Sequence, residues 1–312
     1  MPEPLLRELT DDERIAYFRG VQPIWGGGLD EVRFVAFQRR LADSAEAKGR
    51  SRLLGLFDAD RLLAALKAYD LHGGHERRRA ELLGIGAVFT PPELRRRGHA
   101  ARLLQLAMDD ARGRGKAAAV LFSDIGAAYY QRLGFRILES RECTVVASQL
   151  PHATSFRPAA PGDEALLSRI LAQGRDGGDH FILGRGGWAL RFQLRRLREL
   201  ARARSVGEPE WGLCVTGRSG EGGAMMRLGR DTLDVLDAGW TTDAARVQVL
   251  GGLRDCMLRS HRQKLRVWPA NQLRGLYPSA ERTTALAMIA SLGDTALPEP
   301  GARAELALLD HI

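Results

Sequence analysis

The chain has 312 residues, more than one typical domain holds, and 45% apolar side chains, an ordinary allowance for buried cores. Its formal charge of +8 suits a polyanionic ligand, yet only Lys48, Lys67, Lys116 and Lys264 are lysines among 46 basic residues. That arginine skew is what GC-rich codon usage produces, and no nucleic-acid recognition motif accompanies it, so nucleic acid is not an expected partner.

No run approaches the roughly 18 apolar residues of a membrane span, so no membrane association is expected. The opening "MPEPLLRELTDDERIAYF" lacks the basic patch and apolar core of a secretion signal. Cys143, Cys214 and Cys256 are odd in number, widely separated and without metal-ligand spacing. Together these features read as a cytoplasmic protein with reduced cysteines.

The pattern predicts a strand over 5–9, then a helix capped by Thr10 with Asp11, Asp12 and Glu13 in its first turn. A second helix is predicted over 29–46. "DAD" at 58–60 reads as a hairpin turn, and "LHGGHERRR" as a longer turn before a strand from Glu81 to Phe89. An arginine-rich loop follows. Beyond it Ala100, Leu103, Leu104, Ala107, Met108 and Ala111 share one helix face, ended by Gly113 and Gly115. "KAAAVLFS" reads as a buried strand and "DIGAAYYQRLG" as a short helix, with strand material after it. Strand, loop, helix, strand is a crossover unit, so the expected class is mixed α/β.

Proline density rises over "PHATSFRPAAPGD", which predicts domains at 1–150 and 151–312. The second half repeats the order of elements: a strand near Phe156, a helix over "DEALLSRILAQ", a glycine-rich segment, and a basic helix from Leu190 to Arg204. Hairpin strands over 211–240, a helix over "DAARVQVLGGLRDCMLRSH", a strand "KLRVWP" and a short helix "NQLRGLYP" complete it. This order suggests a tandem duplication. Gly174 to Gly187 reads either as a mobile lid or as a linker.

"GAVFTPPELRRRGHA", residues 86–100, concentrates charge at a helix mouth. A helix N-terminus presents unpaired N–H groups and partial positive charge, which suits an anion. Arg95, Arg96 and Arg97 add charge there. Gly98 lets the backbone approach a ligand, and Ala100 has the smallest side chain after glycine. A solvated arginine turn is the alternative.

Arg95-x-x-Gly98-x-Ala100 resembles the pyrophosphate loop of the Gcn5-related N-acetyltransferases (GNAT), whose pattern is Gln/Arg-x-x-Gly-x-Gly/Ala. "AAYYQRLGF", residues 127–135, resembles that family's second signature, an aromatic-Tyr pair before a Gly-Phe. "VFTPPELRRRGHAARLL" and "LFSDIGAAYYQRLGF" are similar to the yeast-type lysine N6-acetyltransferases over roughly residues 80–140. Arg96 departs from the glycine often found there, which either narrows the loop or turns Arg96 outward.

The resemblance implies the GNAT acyl-CoA N-acyltransferase fold and acetyl-CoA as acyl donor, with no metal. It places pantetheine between Ala87–Thr90 and Ala118–Ser123, the pyrophosphate on Arg95 to Ala101, His99 included, and contacts at Val88, Phe89, Thr90 and Ser123. Gly84 and Gly86 suggest a bulge that aims an amide at the thioester carbonyl, or else close backbone packing. Tyr130 is the expected acid for the departing thiolate and Glu81 the candidate base, against the simpler reading of Glu81 as an exposed strand end; His75 and Glu76 are weaker candidates. Asp124 is read as a helix cap or as a contact to a cationic substrate. His72 and His75 lie on a turn and do not read as a metal site.

The second half has "TTDAARVQVLGGL" where the loop should fall. Asp243 would repel a pyrophosphate, and Gly251 and Gly252 come too late. It is expected to be a degenerate GNAT-like domain that shapes the substrate cleft. The expected reaction is acetyl transfer to a primary amine of a small molecule, free lysine being the first choice, by direct attack. An amine-bearing antibiotic or a thiol-metabolite precursor as acceptor, and an acyl-CoA-binding module without turnover, are the alternatives.

Overall fold

The computed structural model describes residues 3–75, 78–152, 156–158, 163–172, 181–184, 187–204, 211–216, 220–229, 231–268, 273, 275–293 and 304–306. Among these the chain builds two mixed sheets faced by helices. The first opens as an antiparallel meander of β1 (Leu5–Glu8), β2 (Ser51–Asp58), β3 (Arg61–His75) and β4 (Arg78–Phe89). Helices α1 (Asp11–Trp25) and α2 (Glu31–Ala42) join β1 to β2. Thr10 caps α1 as expected: its hydroxyl accepts from the Glu13 N–H at 3.4 Å, and the Glu13 carboxylate accepts from the Thr10 N–H at 2.8 Å.

From β4 the chain crosses through α3 (His99–Gly113) to β5 (Ala118–Ser123), which runs parallel to β4. Then come α4 (Ala128–Gln131) and the two-residue β6 (Arg136–Ile137). The next strand, β7 (Arg141–Val146), leaves for the second sheet. That sheet also holds β8 (Phe156–Pro158), β10 (Trp211–Thr216), β11 (Gly222–Leu228), β12 (Thr232–Trp240), β13 (Lys264–Val267) and β14 (Ala280–Glu281). Its helices are α5 (Glu164–Ala172), α6 (Gly187–Arg204) and α7 (Asp243–Arg259). The unit β12–α7–β13 repeats the parallel crossover β4–α3–β5.

The sheets do not divide at residue 150 as expected. β15 (Leu286–Ser291) returns to the first sheet and inserts between β5 and β6, while β7 lies beside β13 in the second. Each crossover therefore borrows its antiparallel neighbour from the other half. The cause is pairing demand: "AAVLFS" of β5 is buried, and "LAMIAS" matches it over six residues, from Leu286 opposite Ser123 to Ser291 opposite Ala118. The glycine-rich segment also contributes a strand, β9 (Phe181–Leu183), which pairs with the end of β3 and with β16 (Ala304–Glu305). Residues 173–180 and 185–186 of that segment, part of the predicted helix at 271–278, and 307–312 lie outside the described residues.

Alternation along the first sheet sorts its core. Ala65 and Tyr69 of β3 pack with α1 and α2, whereas Ala64, Leu66 and Ala68 pack with α3 and α4. Leu103, Leu104, Ala107, Met108 and Ala111 form the buried stripe of α3, as their spacing predicts.

Candidate active site

The arginine loop meets α3 in a shape that leaves the helix start open. Gly98, the N-cap, has φ +83°, a conformation that favours glycine. Arg96 also takes a left-handed conformation, φ +62°, and is exposed, so it turns outward. Arg95 and Arg97 are exposed as well, and the Arg95 Nε donates to the Thr90 carbonyl at 3.1 Å, tying the loop to the end of β4. No side chain caps the first turn of α3 and no acidic residue lies in it. His99, Ala100 and Ala101 occupy that turn, half-buried. Uncapped N–H groups beside exposed arginines are the donor set a pyrophosphate requires.

Beside this loop the sheet opens. The parallel ladder between β4 and β5 ends at the pair Ile85–Leu121, yet both strands continue. At the same level β4 carries a bulge, since Lys67 pairs with Gly86 and Ala65 with Phe89. The bulge falls at Ala87, φ +46°, and the Tyr17 hydroxyl donates to its carbonyl at 2.7 Å. Holding an alanine there costs about 1 kcal/mol or more, which the buried Tyr17 bond helps to offset. Gly84 stays in regular register opposite Tyr69 and Val120. A bulge was therefore expected in this strand, but it sits one residue beyond Gly86.

A cavity of about 440 Å³ lies at the opening. Gly86 to Val88, Leu121, Phe122 and Tyr130 line it on the first-sheet side, and α6 closes it from the other half. Ile24, Trp25 and Ile125 are exposed around it. Tyr130 is buried, with its ring edge-on to Tyr129 at 5.0 Å and Phe135 at 5.9 Å. Burial, with lesser help from Tyr129 and Asp124, pushes its hydroxyl up to about 12. It therefore stays protonated at neutral pH, the form an acid needs.

Residues 6–138 match the model of the acetyltransferase (GNAT) domain. This is the GNAT fold. No curated protein matches the sequence. A solved GCN5-related N-acetyltransferase from Kribbella flavida is 16% identical, with 92% of this chain and 70% of that one covered and a TM-score of 0.68. A probable N-acyltransferase from Enterococcus faecalis is 14% identical, with 93% and 73% covered and a TM-score of 0.69. A tandem GNAT protein from the clavulanic acid biosynthesis pathway is 12% identical, with 94% and 100% covered and a TM-score of 0.51.

Not every expected residue reaches the GNAT opening. Glu81 lies toward the other end of β4, 61% exposed, 3.9 Å from Lys116 Nζ and away from the cavity. Asp124 lines the cavity but does not cap α4; its Oδ1 accepts from the Ala285 N–H at 3.1 Å, linking the two halves. The Ser123 hydroxyl turns away to donate to the Gly126 carbonyl at 2.6 Å. Phe89 offers backbone only, because its ring packs on Tyr17 and Gly20. Among the described residues no cluster of three metal-ligating side chains occurs, and no helix is long and apolar enough to cross a membrane.

Sequence reasoning missed three residues around the opening: Tyr17 of α1, which holds the bulge, and Lys67 of β3 and Arg196 of α6, which line the cavity. Lys67 had a signal. It is one of four lysines in the chain and interrupts the otherwise apolar run "LLAALKAY".

Proposed function

We propose that the protein transfers the acetyl group of acetyl-CoA to a primary amine of a small molecule. The observation that carries this reading is the end of the β4–β5 ladder at Ile85–Leu121, beside a bulge and a buried tyrosine. An acyl-pantetheine chain adds to β4 there as an extra strand. Its pyrophosphate rests on the first turn of α3 with Arg95 and Arg97, and its thioester lies beside Ala87 and Tyr130.

The amine attacks as its free base. The N–C bond forms, the C–S bond breaks, the nitrogen gives its proton to solvent water, the Tyr130 hydroxyl gives one to the departing sulfur, and Tyr130 regains a proton from solvent. Backbone donors at the bulge stabilise charge on the carbonyl oxygen. No cysteine sits in the motif region, residues 86–135, which favours direct transfer in a ternary complex. Free lysine is the first acceptor to try, on the similarity of "VFTPPE" and "SDIG" to lysine acetyltransferases.

The test is thiol release from acetyl-CoA across a panel of primary amines, free lysine and amine-bearing antibiotics included. Release that depends on an amine is expected. CoA binding without release for any amine would contradict the reading and leave an acyl-CoA-binding module.

A further inference from the structure

We infer that the acceptor amine carries a compact anionic group, a carboxylate or a phosphate, which docks between Lys67 of β3 and Arg196 of α6. The inference rests on the acetyltransferase reading above and names the substrate class of that site.

Lys67 shares a face of β3 with Ala65 and Tyr69 and pairs across the ladder with Gly86, next to the bulge. Its Nζ donates to the Gln38 Oε1 at 2.7 Å and lies 5.9 Å from the Phe18 ring. Among the described residues, no carboxylate lies within ion-pair distance of it. Lys116 shows the contrast. That lysine is more deeply buried than the half-buried Lys67 and sits 2.8 Å from an Asp70 carboxylate. Buried lysines are ordinarily paired in this way.

Lys67 instead lines the same cavity as a second cation, Arg196. Burial, and then the charge of Arg196, hold its ammonium down to about 7. Burial also lowers Arg196. Arg204 and Arg227 line the same cavity, with Arg227 ion-paired to Asp234 at 2.9 Å. Asp124, the acidic residue of the lining among the described residues, is engaged by the Ala285 N–H. The described lining thus carries four basic side chains, Lys67, Arg196, Arg204 and Arg227, against one acidic one. An oxyanion between Lys67 and Arg196 accepts charge-assisted hydrogen bonds from both. Lys67 comes from the first sheet and Arg196 from a helix of the second half, so the acceptor site needs both halves.

The test titrates the full-length protein, saturated with CoA to occupy the arginine loop, with matched amines. β-Alanine is compared with β-alaninamide, and phosphoethanolamine with ethanolamine. The charged member of at least one pair is expected to bind about 10- to 100-fold more tightly. The pair that shows it tells carboxylate from phosphate. Lys67→Met is expected to bring that ratio within about threefold of unity, and Lys67→Arg to keep most of it. Equal binding of charged and neutral members, no binding of any, or a ratio that survives Lys67→Met would overturn the inference. Thiol release is read separately. Selective anion binding without release sinks the acetyltransferase reading alone, and release with no charge preference sinks the anion site alone.

Discussion

The two crossover helices occupy equivalent places in the two halves and begin in opposite ways. α3 starts at Gly98 with no side-chain cap, no acid in its first turn and three arginines before it. α7 starts at Thr242, whose hydroxyl accepts from the Ala245 N–H at 3.1 Å, and Asp243 follows in its first turn. One helix start is open to an anion, and the other satisfies and neutralises itself. The strands before them both carry bulges, at Ala87 in β4 and at Leu236 in β12. Leu236 is buried with Leu194, Met225 and Trp268, so that bulge faces packed side chains, whereas Ala87 faces a cavity. A repeated crossover is therefore not a repeated site. What separates the halves is the filling of one opening and the capping of one helix.

The largest expected effect is on chemistry. Tyr130→Phe should lower kcat about 100- to 1000-fold with little change in CoA affinity, whereas Tyr277→Phe, at a tyrosine packed against the core of the second sheet and outside the cavity lining, should leave kcat unchanged. Equal loss of kcat and CoA binding would remove Tyr130 from the acid role. Next, Arg95→Ala with Arg97→Ala should weaken CoA about 10- to 100-fold and flatten its salt dependence, read by titration at two ionic strengths.

A pH effect follows from Lys67. Burial holds its ammonium down to about 7 in the free protein, in a cavity it shares with Tyr69, Tyr130, Arg196, Arg204, Arg227 and Asp124, and an anion favours its protonated form. Affinity for a charged acceptor should therefore hold below pH 7 and fall above it, by up to about tenfold per pH unit. Lys67→Met should abolish that slope.

Smaller effects concern the helix starts. Gly98→Ala should cost roughly 1–2 kcal/mol and Gly98→Asn less, because nothing lies within 4 Å of the added Cβ and only the φ of +83° resists it. Thr242→Ala should cost about 1 kcal/mol of thermal stability and leave CoA affinity alone.

The local geometry of the candidate site was legible where its signals are local. The α3 stripe, the Thr10 cap, the open start at Gly98 and Tyr130 each follow from residues within a few positions of one another. The strand exchange was not legible, because "LAMIAS" meets "AAVLFS" across more than half the chain and periodicity carries no pairing partner. The bulge was displaced from the glycines because a distant residue, Tyr17, fixes the Ala87 carbonyl. Glu81 looked suitable only while its distance was unmeasured. Five residue steps along β4 separate it from Gly86, about 17 Å. Lys67 was overlooked because a lysine in a strand reads as surface until its neighbours are known.

The central claim is that one of the two helix starts, and only one, holds the CoA pyrophosphate. Calorimetric titration of CoA into the full-length chain tests it most directly. One site per chain is predicted, weakened by Arg95→Ala with Arg97→Ala and indifferent to Thr242→Ala. Two sites per chain, or one site that survives the arginine changes, would contradict the account.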